Sequence, residues 1–281
     1  MTRAALADVL RPALAEGYAV PGLVCLGWED SRAYVTAAEA ECAPVILQAG
    51  PGCRKHTPLP VLASMFGYLA DAASVPIVMH LDHGYTLDEC RQAIDCGFTS
   101  VMFDGSRLPL EENIEKTAEM TALAHKAGSS AEGEIGFVGY ADGDQSAGTD
   151  PNEAARFAQE TGVDAMAISI GNVHLQMDNG TNLDEQRLSA IQAKTEVPLV
   201  IHGGSGVSIE QRRHLAASSA ICKFNIGTEL RQTFGRSIRR TLAGDPELFD
   251  RLAILSSTEP DIEAATRAVL QGLGASGQAP D

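Results

Sequence analysis

Eight short apolar runs, each followed by a segment with helical patterning, predict a parallel sheet covered by helices, and eight strands close a (β/α)8 barrel. Two further observations agree. The chain has 281 residues and no linker-like break, which suits one barrel domain. Histidines also gather where apolar runs stop, in Met79-His80-Leu81-Asp82-His83-Gly84, in Ile168-Ser169-Ile170-Gly171-Asn172-Val173-His174 and in Leu199-Val200-Ile201-His202-Gly203-Gly204. Barrel chemistry sits at the C-terminal ends of the strands. A doubly wound open sheet is the alternative. Its first βα turn ordinarily carries Gly-x-Gly-x-x-Gly, and none is present.

In order along the chain, residues 4–16 read as helix and 18–25 as the first strand. A helix over 29–42 leads to the second strand at 44–48, and a helix over 58–73 to the third at 75–81. The helix at 86–96 precedes the fourth strand, 100–103. The helix at 110–127 opens with Glu111 and Glu112, which suit the positive end of its dipole, and Gly128 ends it. The fifth strand runs over 129–134. A loop rich in Gly and Asp fills 137–149. A helix at 151–161 and Gly162 lead to the sixth strand, 164–170. After a loop at 171–182, a helix at 184–194 precedes the seventh strand, 197–201. A helix at 208–218 precedes the eighth, 221–226, and helices occupy 228–242 and 259–273. One domain over 1–274 is expected, with 275–281 a disordered tail.

The formal net charge of −16 argues against a nucleic-acid or anionic-membrane partner. An acidic protein can still bind phosphate through backbone N–H groups. No apolar run approaches the ~20 residues of a membrane span. Asp8 and Arg11 interrupt any signal-peptide core. Cysteines 25, 42, 53, 90, 96 and 222 show no Cys-x-x-Cys spacing and read as reduced thiols, so a cytoplasmic location is expected.

His83, His174 and His202 follow three strand ends, and Glu134 ends a fourth. Any one buried histidine is more simply a hydrogen-bonded structural residue. Three at equivalent strand ends form a metal-capable set, and three neutral imidazoles with an open position suit catalytic zinc. Asp82, beside His83, can ligate, orient a ligand, or act as general base. Glu132 and Glu134 alternate with Gly133 and face the same way. Glu134 suits an alternative ligand, Glu132 a supporting acid. His202-Gly203-Gly204-Ser205-Gly206 and Asn225-Ile226-Gly227-Thr228 follow the last two strands, where barrels bind phosphate through backbone amides and a helix N-terminus. Their bland reading is a pair of tight turns with a helix cap at Thr228.

These residues resemble the class II, metal-dependent fructose-bisphosphate and tagatose-bisphosphate aldolase family. The likeness runs from about residue 6 to 234 and is carried by His80-Leu81-Asp82-His83-Gly84, by Gly97 to Ser106 with Glu111-Glu112-Asn113, by Glu132-Gly133-Glu134-Ile135-Gly136, and by His202 to Gly206 with Lys223 to Thr228. The resemblance implies a (β/α)8 barrel and a homodimer or higher homo-oligomer. It implies zinc, or another divalent metal, on His83, His174 and His202, with Glu134 at an alternative position and room for a monovalent cation. Asp82 would be the base. Asp142, in Gly139-Tyr140-Ala141-Asp142-Gly143, would be the loop acid, one methylene shorter than the family's glutamate. Gly203, Gly204, Ser205, Asn225, Gly227 and Thr228 would hold substrate and phosphate. The implied reaction is reversible retro-aldol cleavage of a ketose phosphate or bisphosphate to dihydroxyacetone phosphate and an aldehyde, through a metal-stabilised enediolate.

Three departures mark the specificity shell. His174-Leu175-Gln176-Met177-Asp178 replaces the family's His-Gly-x-Tyr-Lys, removing a glycine amide and a lysine at the donor phosphate. Pro21-Gly22-Leu23-Val24 replaces Gly-Ala-Phe-Asn, and Gln48-Ala49-Gly50 replaces Gln-x-Ser. Arg54-Lys55-His56 could supply a replacement anion contact or be an exposed basic loop. The substrate therefore need not be fructose 1,6-bisphosphate. The rival readings are another metal-dependent lyase, a metallohydrolase, or a noncatalytic, regulatory sugar-phosphate-binding barrel. The hydrolase reading lacks the His-x-His that such barrels often carry after the first strand, where Leu26-Gly27-Trp28 stands.

Overall fold

The computed structural model describes residues 2–141, 143, 145–177 and 180–280. A two-residue strand, β1 (Arg3–Ala4), precedes eight barrel strands: β2 (Val20–Val24), β3 (Val45–Ala49), β4 (Ile77–Gly84), β5 (Ser100–Phe103), β6 (Ser130–Ile135), β7 (Ala165–Ile168), β8 (Leu199–Ile201) and β9 (Ile221–Ile226). Each pairs in parallel with the next, and β9 returns to β2, so the sheet closes as a (β/α)8 barrel. Both faces of every barrel strand are covered. Hence Val-Ile-Leu and Ala-Met-Ala-Ile runs stand where a half-exposed strand would alternate.

The helices are α1 (Leu6–Glu16), α2 (Trp28–Ala40), α3 (Pro51–His56), α4 (Leu59–Ala72), α5 (Leu87–Asp95), α6 (Leu110–Lys126), α7 (Pro151–Thr161), α8 (Glu185–Gln192), α9 (Ile209–Ser218), α10 (Thr228–Gly244), α11 (Arg251–Ser256) and α12 (Glu259–Gly272). Their starts follow local chemistry. Thr86 and Glu89 form a capping box for α5, and Asp150 with Pro151 opens α7. α1 touches β2, β6, β7 and β9 and so covers one mouth of the barrel, leaving the other for the site.

Differences from the sequence reading are local. β1 stands where only the helix at 4–16 was expected. It pairs with Ile77 and Val78 of β4, along the edge that β5 takes from His80 onward. A two-residue strand has no period to read. α3 is a short helix where Arg54-Lys55-His56 reads as a loop, and α11 is a short helix in a segment that the sequence pattern does not assign. The expected disordered tail is docked through residue 280. Ala275 is buried, Gly277 and Ala279 donate their amides to the carbonyls of Glu41 and Cys42 at 2.8 Å, and Ser276 Oγ donates to Glu41 Oε2 at 2.7 Å. Arg267 and Gln271 hold the other oxygen of Glu41. Backbone pairing of this kind depends on tertiary position and leaves no trace in composition.

Candidate active site

The open end of the barrel is organised by an irregularity in β4. Register with β5 slips between Leu81 and Gly84, and His83 takes a left-handed conformation at φ 52°. Strict alternation would send Asp82 and His83 to opposite faces. The bulge turns both toward the mouth. His83 Nε2 lies 3.9 Å from Asp82 Oδ1, and Nδ1 lies 2.8 Å from Asp104 Oδ2.

Asp82 is held by one oxygen. Gln48 Nε2 donates to Oδ1 at 3.0 Å, and Asn225 Nδ2 donates to the same oxygen at 3.3 Å. A Cβ at Gly22 would stand 2.3 Å from Gln48 Oε1 and 2.7 Å from Asn225 Oδ1, so only glycine lets both amides reach the carboxylate. Oδ2 faces Gly50, 3.3 Å from where a Cβ would stand there. Burial pushes the Asp82 carboxyl up, but His83, His202, Lys223 and His80 together hold it below the ordinary carboxylate value.

His83, His174 and His202 converge, with ring centroids 4.6–5.5 Å apart. One nitrogen from each falls within a sphere of ligation, all within 4.8 Å of one another, and His83, Asp104 and Glu134 form an overlapping group. His202 Nδ1 and Glu134 Oε2 lie 3.3 Å apart, buried and without a hydrogen-bond partner. Unpaired buried polar atoms are costly, and a divalent cation between them would satisfy both. The donor set of imidazole and carboxylate fits zinc. Burial, with His83 and His202 beside it, pushes His174 down to about 3, so its imidazole is neutral.

A charged layer lies beneath. Lys223 Nζ donates to Glu132 Oε2 at 2.7 Å, His202 Nε2 lies 3.2 Å from Glu132 Oε1, and His80 hydrogen-bonds Ser100 at 2.8 Å. All four ionisable side chains are fully buried. Glu132 thus orients His202 from below, as a supporting carboxylate does for a ligand imidazole.

A cavity of about 360 Å³ opens above, lined by Asp82, His83, His174, Gly203, Ser205, Asn225, Gly227, Thr228 and Arg231. Its walls are more apolar near Val24, Leu26, Tyr85, Tyr140 and Leu175. Tyr140 stacks on His174, centroids 5.0 Å apart. Ser205 Oγ accepts the amides of Gly227 and Glu229 at 3.2 and 3.4 Å, which joins the β8 loop to the start of α10. Gly203 has φ 68°, and a Cβ there would stand 2.1 Å from the Val173 carbonyl, so the β8 loop packs directly on the loop bearing His174.

A family model described as fructose-bisphosphate aldolase class-II matches residues 4–278. The chain belongs to the class II fructose-bisphosphate aldolase family. It is an aldolase, a carbon–carbon lyase. Relatives include a fructose-bisphosphate aldolase of Geobacillus stearothermophilus, 34% identical over 286 residues covering 99% of each chain. Another is a 6-phospho-5-dehydro-2-deoxy-D-gluconate aldolase of Bacillus subtilis (strain 168), 34% identical over 285 residues covering 99% of this chain and 98% of that one. The crystal structure of the YdjI aldolase from Escherichia coli K12 superposes with a TM-score of 0.88 at 28% identity, covering 99% of this chain and 100% of that one.

Within this family member, Asp82, His83, His174, His202 and Glu134 meet in one place, and the two glycine loops border them. Asp142 lies outside the described residues, as does Asp178, which stands where the family has lysine. Two readings of the departures change. Leu175 has φ 59°, in the left-handed region that favours glycine, and any residue but proline retains its N–H, so the amide is not lost. Arg54 is not an anion contact. Its guanidinium donates to the carbonyls of Ala49, Asp82 and His83. Sequence reasoning gave no role to Asp104, although it ends β5 as His83 ends β4. The strand-end rule applied to every strand would have found it. It also gave none to Arg231 or Tyr140, whose places depend on helix and loop packing.

Proposed function

We propose that this aldolase is metal-dependent and cleaves, reversibly, a phosphorylated ketose or keto acid to dihydroxyacetone phosphate and an aldehyde, with Asp82 as base. The observation that carries this reading is the convergence of His83, His174 and His202, with Asp82, His83 and His174 lining one cavity. The relatives are named for two substrates, a fructose bisphosphate and a phosphorylated deoxy-dehydrogluconate, at equal identity. Sugar-phosphate chemistry is common to both.

His83, His174 and His202 would hold the ion, with Glu134 and Asp104 beside them as an alternative position. Zinc bound there supplies a Lewis acid at the substrate carbonyl oxygen. Asp82 is anionic at neutral pH, and Oδ1 is occupied by two amides, so Oδ2 takes the proton. That proton comes from the hydroxyl one carbon beyond the breaking bond, whose electrons collapse to an aldehyde as the C–C bond parts. The three-carbon fragment keeps the bonding pair and receives a proton from Asp142. The loops of Gly203, Gly204 and Ser205 and of Asn225, Gly227 and Thr228 would hold substrate and the fragment's phosphate near the N-terminus of α10, with Arg231 lining the same cavity. Gly50 would shape the aldehyde side, Leu175 the donor-phosphate side and Val24 the wall of the same cavity, and together they set a substrate other than fructose 1,6-bisphosphate within reach. A homodimer or larger homo-oligomer in the cytoplasm belongs to the same reading. Among the described residues no helix is long and apolar enough to cross a membrane.

The test is zinc-loaded protein assayed on fructose 1,6-bisphosphate, other ketose mono- and bisphosphates and a phosphorylated 5-keto acid, coupled to detection of dihydroxyacetone phosphate, with a chelator control. Chelator-sensitive cleavage of at least one supports the reading. No cleavage by protein shown to hold its metal overturns it.

A further inference from the structure

We infer that Arg54 is a positioning residue whose guanidinium fixes the bulge in β4 that aims Asp82 and His83 into the cavity. This rests on the reading of the site given above.

The need arises from the strand ends. Pairing of β3 with β4 stops at Ala49 and Leu81, and the slip in register that follows leaves carbonyls of Asp82 and His83 outside the ladder. Buried carbonyls require donors. One Arg54 nitrogen donates to Ala49 at 2.6 Å and Asp82 at 2.7 Å, and the other to His83 at 2.9 Å. These are three charge-assisted bonds from one planar group. The side chain is 11% exposed, and its second nitrogen lies 3.8 Å from Glu89 Oε1. Glu89 is itself fixed, since its other oxygen accepts the amides of Tyr85 and Thr86. The guanidinium therefore ties β3, the bulge and the start of α5 to the short helix α3. Cys53 lines the cavity and Arg54 does not, so the arginine reaches substrate only through the residues it holds. His83 at φ 52° is held in a conformation that a free chain rarely takes. A lysine ammonium, a point donor, cannot serve carbonyls on two strands with the same fixed spacing.

The experiment compares full-length wild type, Arg54→Met and Arg54→Lys. Hydrogen exchange of the peptide over 79–85 reads the bulge without metal. Co2+ titration, followed by the visible d–d bands, reads how His83 is presented. Steady-state assays separate kcat from KM. Arg54→Met is expected to exchange at least tenfold faster over 79–85, to bind Co2+ about 10–100-fold more weakly with shifted bands, and to lose kcat about 100-fold with KM within threefold. Arg54→Lys should fall between the two. A folded Arg54→Met with wild-type exchange, bands and kcat overturns the proposal. If Arg54→Met does not fold, wild-type behaviour of Arg54→Lys in all three readouts overturns it instead. Wild type that binds no Co2+ refutes the metal site, while the exchange result still decides whether Arg54 holds the bulge.

Discussion

Replacing Lys223 by methionine tests the charged layer under the site. Lys223 Nζ is 2.7 Å from Glu132 Oε2, and both side chains are fully buried. Methionine nearly fills the volume, so the change removes a charge and little packing. Glu132 would keep His202 at 3.2 Å and His80 at 3.6 Å. Breaking a buried pair costs about 3–5 kcal/mol. At roughly 2–4 °C per kcal/mol for a domain near this size, melting should fall by roughly 6–20 °C. The double variant Lys223→Met/Glu132→Gln removes the orphaned carboxylate and should recover about half of the loss. The pH dependence has a definite sign. In the wild type, burial raises the Glu132 carboxyl, but Lys223 first, then His202 and His80, hold it below the ordinary value, so its contribution is complete at neutral pH and lost only in acid. Without the cation the carboxyl shifts upward, and the deficit of the single variant should shrink as pH falls. Urea denaturation of the apo proteins at several pH values measures all three effects. A single-variant cost under about 1 kcal/mol, or a double variant less stable than the single, would refute the reasoning.

Other predictions follow from single contacts. Gly22→Ala should displace the Gln48 and Asn225 amides from Asp82, since its Cβ would stand 2.3 Å from Gln48 Oε1. A kcat loss of about 100-fold with the metal content unchanged is expected by steady-state kinetics and metal analysis. Leu175→Gly should be neutral or stabilising in a melting assay. It relieves about 1–2 kcal/mol of left-handed strain at φ 59° against about 0.5–1 kcal/mol of glycine chain entropy. Glu41 is held below the ordinary carboxylate value by Ser276 and Arg267, so docking of residues 275–280 is complete above that ordinary value and lost as pH falls through the lowered one. Exchange protection of the Gly277 and Ala279 amides should disappear in acid, and at neutral pH in Glu41→Gln.

The barrel was legible because its strands are short continuous apolar runs between helices with caps, as in Val45-Ile46-Leu47 and Thr86 to Glu89. The three histidines and Glu134 were legible because strand ends face one mouth. What stayed hidden depends on geometry that leaves no periodic mark. The bulge that places Asp82 and His83 on one side contradicts simple alternation. Arg54 looked like an exposed basic loop because its partners are backbone carbonyls far away in sequence. The docked tail is held by amides rather than by any side-chain pattern. Leu175 departs from the family's glycine in sequence, yet its backbone lies in the left-handed region that favours glycine.

The most direct test of the account is Asp82→Asn, zinc-loaded, assayed on whichever phosphorylated substrate the wild type cleaves. Asparagine preserves the shape that Gln48 and Asn225 grip but cannot take the proton. The account predicts unchanged zinc content and melting temperature, with kcat lower by about 10²–10⁴-fold. Wild-type turnover in the metal-replete variant would contradict Asp82 as the base and with it the proposed chemistry.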